Sequence, residues 1–209
     1  MHDPNWGATR PRGGSLEEVW GSSAFEPVDL GAKPIEQYVD AMAATRRHGD
    51  ARYCCVEIPD SPEIDWFASR NCLADAEFFG RLLGSEPVTD ELELDVTDDP
   101  DVSMTVETAL SMDGTLAEQL VHGGTVSYSD TLDQQYGTFA KAKRLAEEFR
   151  DSVVEDRYEE VTVHRTREAW CEWFGEPHWN FTMVVVDRRY RLAWVLVATD
   201  EGPLEQLED

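Results

Sequence analysis

Lysine is almost missing from this chain. Three are present, Lys33, Lys141 and Lys143, so arginine makes up the rest of the 18 basic residues, against 43 Asp and Glu. The formal net charge of −25 argues against nucleic acid or an anionic membrane as the main partner, because both demand basic faces. The short arginine groups, Arg46-Arg47 and Arg188-Arg189 with Arg191, sit among acids and read as solvated turns and ion-pair partners. Long apolar runs are missing too. No stretch approaches the roughly 18 residues of a membrane helix. The opening "MHDPNWGATRPRGG" lacks the apolar core of a secretion signal, so a cytoplasmic protein is expected.

Cysteine is scarce. Cys54, Cys55, Cys72 and Cys171 suit a reducing compartment, where a thiol is a small hydrophobe unless something activates it. The neighbours Cys54 and Cys55 could close only a strained ring. Cofactor motifs are also missing: there is no G-x-G-x-x-G, no G-K-[ST] and no G-x-S-x-G. "HGGT" at 122–125 shares only its glycines with a phosphate-binding turn and reads as a helix stop. No cofactor is expected.

What is present in excess is acid, spread along the chain, as in "DELELDVTDDPD" and "RLAEEFRDSVVED". Such a surface repels itself in dilute buffer. At about 1 M salt the screening length falls to about 3 Å and the repulsion largely disappears. Dispersed acid with scarce lysine therefore points to a halophilic cytosol.

The 209 residues fit one domain with a sizeable core. Residues 1–33, rich in Gly, Pro and Ser, read as an extended arm with one short helical turn at "SLEEVWG", and residues 34–209 as a single α+β domain. Helical spacing predicts helices over 34–47, 62–83, 115–122, 130–153 and 167–174. Alternation predicts strands in "ARYCCVEI", "ELELDV", "DVSMTVETALSM" and "RYEEVTVH". "WNFTMVVV" and "YRLAWVLVAT" flank "DRR" and predict a hairpin with a three-residue loop, apolar on both faces and hence central. The expected architecture is a mostly antiparallel sheet of about six strands with helices packed on it.

The most chemical stretch is "WCEWFGEPHWNF", residues 170–181. Cys171, Glu176 and His178 have no metal-site spacing, so no metal is expected. Trp170, Trp173 and Phe174 fall on one face of a helix and read as packing. The weak catalytic candidates are His164, Cys171 and His178, with His122 as another base for a thiol. Alternation sets His164 opposite Val161 and Val163, on a polar or partly covered face at a strand end. There it reads first as a surface histidine at a strand terminus, and as the alternative it could share a cleft with Asp130, Asp187 and the Arg188-Arg189 turn. Asp98, Asp99 and Asp101 lack the glycine and distal glutamate of a calcium loop. The weak binding candidates are Trp6, Trp20, Asp130, Arg188 and Arg189, the two tryptophans because an arm bearing them could meet a protein partner or a second copy.

Two functions follow: a non-enzymatic protein- or ligand-binding or regulatory module, and as its rival a small hydrolase-like enzyme working through His164, Cys171 and His178. The charge pattern gives the first prediction. Thermal unfolding followed by circular dichroism should show a less stable chain at about 0.1 M KCl than at several molar. Equal midpoints would contradict the halophilic reading.

Overall fold

Seven residues in a row, Phe181–Asp187, are buried, and the strand beside them, Leu192–Thr199, is buried from its second residue to its last. Strands with one wet face alternate apolar and polar; strands covered on both sides do not. This pair must therefore have helices above and below. A computed structural model, which describes residues 16–21, 24–96, 99–133, 136–175 and 177–201, shows that arrangement.

In chain order the elements are α1 (Leu16–Gly21), β1 (Glu26–Pro27), α2 (Lys33–Ala43), β2 (Asp50–Glu57), α3 (Pro62–Ala68), α4 (Phe78–Leu83), α5 (Glu86–Glu91), β3 (Thr105–Thr108), α6 (Met112–His122), α7 (Tyr128–Thr131), α8 (Thr138–Val154), β4 (Val161–Thr166), β5 (Phe181–Asp187) and β6 (Leu192–Thr199). The sheet runs β1-β2-β6-β5-β4-β3, every pairing antiparallel. The C-terminal hairpin is its centre. This is a single-domain α+β fold with six strands among the described residues.

One face carries Phe181, Met183, Val185, Trp194 and Leu196 against α2, α6 and α8. The other carries Val184, Val186, Val195 and Val197 against Trp20, Phe67, Phe78 and Leu82. Each helical layer presents its own apolar stripe, as Ile35, Tyr38, Val39 and Met42 do on α2. Ser61 accepts from the Ile64 N–H and Pro62 stands at the first helical position, which starts α3 where the sequence places a helix.

Six expectations need correction. The helix over 62–83 is broken: Asn71 and Glu77 take left-handed φ of 53° and 57°, and α4 starts in a new direction. The break lets Phe67, Leu73, Ala76, Phe78, Phe79, Leu82 and Leu83 all reach the core, more than one stripe of a straight helix can bury. The Ala76 carbonyl, beside the second break, accepts from Trp20 Nε1 at 2.8 Å.

"ELELDV" is not a strand. Ser85 and Pro87 open α5, and Val88 and Leu92, four apart, are the buried pair. "DVSMTVETALSM" pairs only over Thr105–Thr108, at the sheet edge, leaving Val106 and Leu110 exposed, and Met112 already belongs to α6. The helix expected over 130–153 is two helices, α7 and α8, parted before Gly137 at φ 77°, with Tyr136 and Phe139 exposed.

Residues 167–174 form no helix. Thr166 Oγ1 does accept from the Glu168 N–H as a cap would, but Trp170 is drawn to the sheet, donating to Thr182 Oγ1 at 2.9 Å, and the turn stops there. The hairpin loop has four residues, 188–191, since Asp187 pairs with Leu192. Asp187 Oδ1 accepts from the Arg189 and Tyr190 N–H groups, an Asx turn that holds it.

Candidate functional site

The residues with the most chemical character are kept apart. His164 lies on β4, not at a wet edge but 3% exposed, its ring 4.6 Å from that of Phe79. The alternation is as expected; the error lay in taking the face opposite Val161 and Val163 for a wet one, when this sheet is covered on both sides. Its Nε2 meets Thr162 Oγ1 at 3.2 Å, while Nδ1 is buried without a partner among the described residues. Burial pulls its pKa down to about 4, so the ring is neutral near pH 7. The imagined cleft with Asp130, Asp187 and the Arg188-Arg189 turn does not form around it.

Cys171 is half-buried in the loop after β4, and His178 is exposed. No hydrogen bond joins His164, Cys171 and His178 to one another among the described residues. Burial raises the Cys171 thiol pKa, and the Asp95 and Glu172 carboxylates add to it against the opposing N–H groups of Trp173 and Phe174. All four cysteines are free. Burial likewise raises Cys54, Cys55 (to about 12) and Cys72. His122, at the end of α6, faces Phe139. Among the described residues no three His, Cys, Asp or Glu side chains are grouped to hold a metal ion. Glu176, Asp98 and Trp6 lie outside the described residues.

The binding candidates separate in the same way. Trp20 is buried, stacked 5.9 Å from Phe25. Asp130 is exposed on α7. Arg188 donates to the Glu159 and Glu160 carbonyls, and Arg189 to Glu160 Oε1 at 2.8 Å. These two arginines close the hairpin end of the sheet, where Arg157 also binds the fully buried Asp187.

At the opposite end of β6 the structure assembles a polar cluster that the charge pattern had hidden. Asp200, 0% exposed, accepts from the N–H groups of Arg47 (3.1 Å), His48 (2.9 Å) and Thr125 (2.9 Å) and from Thr125 Oγ1 (2.6 Å). Burial alone would raise its pKa; these hydrogen bonds outweigh that and lower it. The carboxylate thereby ties the strand to the end of α2 and to the turn between α6 and α7. The Val126 N–H donates to the Thr45 carbonyl, and a Cβ on Gly124 would fall 2.0 Å from that carbonyl oxygen. The glycine in "HGGT" is thus more than a helix stop: it lets two backbones touch.

Inside this knot lies Arg46, 5% exposed and not the solvated turn residue its neighbours in sequence suggest. Its Nη1 donates to Thr45 Oγ1 at 3.0 Å. Nε and Nη2 are buried with no partner among the described residues, and so is the hydroxyl of Tyr128 on α7. Burial lowers the guanidinium pKa to about 10, opposed by the Tyr38 phenol and the Asp200 carboxylate, so it stays charged at neutral pH. A signal was there to be read: the stripe Ile35, Tyr38, Val39, Met42 runs on by four to Arg46.

Set against known proteins, the chain matches no family model, no curated protein and no solved structure, so its chemistry is read from this geometry alone.

The state of His164 gives a pH prediction. Its unfolded pKa is near 6.5 and its folded value about 4, so the unfolded chain takes the proton first. Its stabilising share is whole above pH 6.5 and is lost as pH falls toward 4, about 3 kcal/mol in all at 1.36 kcal/mol per unit. Urea unfolding of wild type and His164→Gln across pH 4–7 should show the gap between them shrinking as pH falls. A constant gap would mean His164 is not a buried neutral ring.

Proposed function

We propose that the chain is a non-enzymatic binding module of a halophilic cytoplasm, taking a small ligand or a protein partner without transforming it. One observation carries the reading: among the described residues no hydrogen bond brings His164, Cys171 and His178 together. The Cys171 thiol is raised by burial, so it is largely protonated near pH 7 and a poor nucleophile. The His164 ring is neutral, but its open nitrogen is sealed against the core and does not meet a thiol, hydroxyl or carboxylate that it could activate. His178, out on the surface, lacks an orienting partner among the described residues.

The acidic surface supports the halophilic half of the proposal. Partner and ligand are then recruited by local geometry rather than by long-range attraction, since molar salt screens the net charge. No described helix is long and apolar enough to cross a membrane.

The test is the thiol. Native protein in high salt at pH 7.5 is treated with iodoacetamide and each cysteine is followed by mass spectrometry. Cys171 should alkylate more slowly than free cysteine under the same conditions. Rapid stoichiometric alkylation of Cys171, suppressed in His178→Gln, would overturn the non-enzymatic reading.

A further inference from the structure

The open donors of Arg46 are the Nε–H and an Nη2–H, which lie side by side along one edge of the planar guanidinium. That edge is one of the two forks with which arginine grips both oxygens of a carboxylate or phosphate. The surroundings leave the fork open instead of closing it. Asp200 is the acid placed to pair with Arg46, yet its two oxygens are taken by three backbone N–H groups and a threonine hydroxyl. Tyr38 spends its hydroxyl on the Leu116 carbonyl at 2.8 Å. Tyr128 keeps a buried hydroxyl with no partner among the described residues, and both Tyr128 and Arg46 lie within electrostatic reach of Tyr38. A buried cation with unmet donors is among the costliest arrangements a folded chain can hold. Here it is held in place by several contacts, down to a glycine whose Cβ would stand 2.5 Å from Arg46 Nη1.

We propose that Arg46 anchors a binding site for a small oxyanion, a carboxylate or phosphate group gripped by the Nε–Nη2 fork. This rests on the reading of the chain as a binding module and names the ligand's chemistry. A water brings no charge to the two parallel donors; a carboxylate or phosphate presents an oxygen to each and cancels the charge. The positioning is done by Asp200, which fixes the residues on either side of the guanidinium without neutralising it. The cover over Arg46 includes the turn 123–126, which belongs to no helix or strand, so admitting a ligand there breaks turn hydrogen bonds such as Val126 N–H to the Thr45 carbonyl and no sheet ladder.

The experiment is thermal unfolding and titration calorimetry of the full chain in KCl. Chloride is replaced by inorganic phosphate in one arm and by acetate in the other, at fixed ionic strength. Because phosphate stabilises proteins non-specifically by exclusion, the reading is the difference from variants. Wild type should show a saturable rise in midpoint with one or both anions, and calorimetry should give one site per chain. The arm that saturates at lower concentration distinguishes phosphate from carboxylate. Arg46→Met should lose the saturable rise while being at least as stable as wild type without anion, since an unpaired buried charge is gone. Should Arg46→Met fail to fold, Arg46→Lys keeps a charge without the fork and should bind about tenfold or more weakly. The proposal is overturned if neither anion shifts wild type more than Arg46→Met, or if Arg46→Lys binds as tightly as wild type. Slow alkylation of Cys171 alongside that failure would remove the anion site and leave the module reading standing.

Discussion

Two-sided burial of the β5–β6 hairpin is the constraint on which the rest of the molecule depends. An antiparallel sheet can leave one face wet, and alternating acids then mark that face. Here Val184, Val186 and Val195 point one way and Met183, Val185 and Leu196 the other, all of them covered. Neither face can be left to water, so the helical layers are obligatory. α2, α6 and α8 close one side, and α3, α4, α5 and the buried Trp20 the other. A chain that carries so much acid must put nearly all of it outside these layers; among the described residues the buried acids are Asp113, paired with Lys143 and Arg150, and Asp187 and Asp200, met by donors at the two ends of the hairpin.

Those two ends have different chemistry for a physical reason. A buried carboxylate must be met by donors, and the two are met by different kinds. Asp187 is met by a charged side chain, Arg157, together with the N–H groups of its own turn. Asp200 is met by backbone N–H groups and a hydroxyl. The first end is therefore electrically closed. At the second the negative charge is satisfied by neutral donors, and the nearby Arg46 is left with its fork open. The functional proposal grows from that asymmetry.

The hairpin, α2, α6, β2 and β4 were legible in the sequence because each has a dominant period and a clear stop. The segments that were misread share one feature: their apolar residues serve two directions at once. Between 62 and 83 a single helical stripe cannot bury both Phe78 and Phe79, so the chain breaks at Asn71 and Glu77. In "ELELDV" the alternation is genuine, but Val88 to Leu92 is the spacing that packs, and only the Ser85-Pro87 start signal favours it. Arg46 was passed over because charge near Arg47 and His48 suggested solvent, although the apolar stripe of α2 runs straight into it. His164 was placed on the correct side of its strand and assigned the wrong environment, since periodicity reports direction and not what covers it.

Native-state hydrogen exchange tests the central claim most directly. Amides that open only when the whole domain unfolds exchange with the global unfolding free energy, and frayed or half-covered elements exchange sooner. With both faces covered, the paired amides of 182–186 and 193–198 should be the slowest in the chain, sharing one value equal to that from denaturant unfolding in the same salt. If the amides of α8 or β2 outlast them, or if β5 and β6 exchange well below the global value, the hairpin is not the element that holds the layers together.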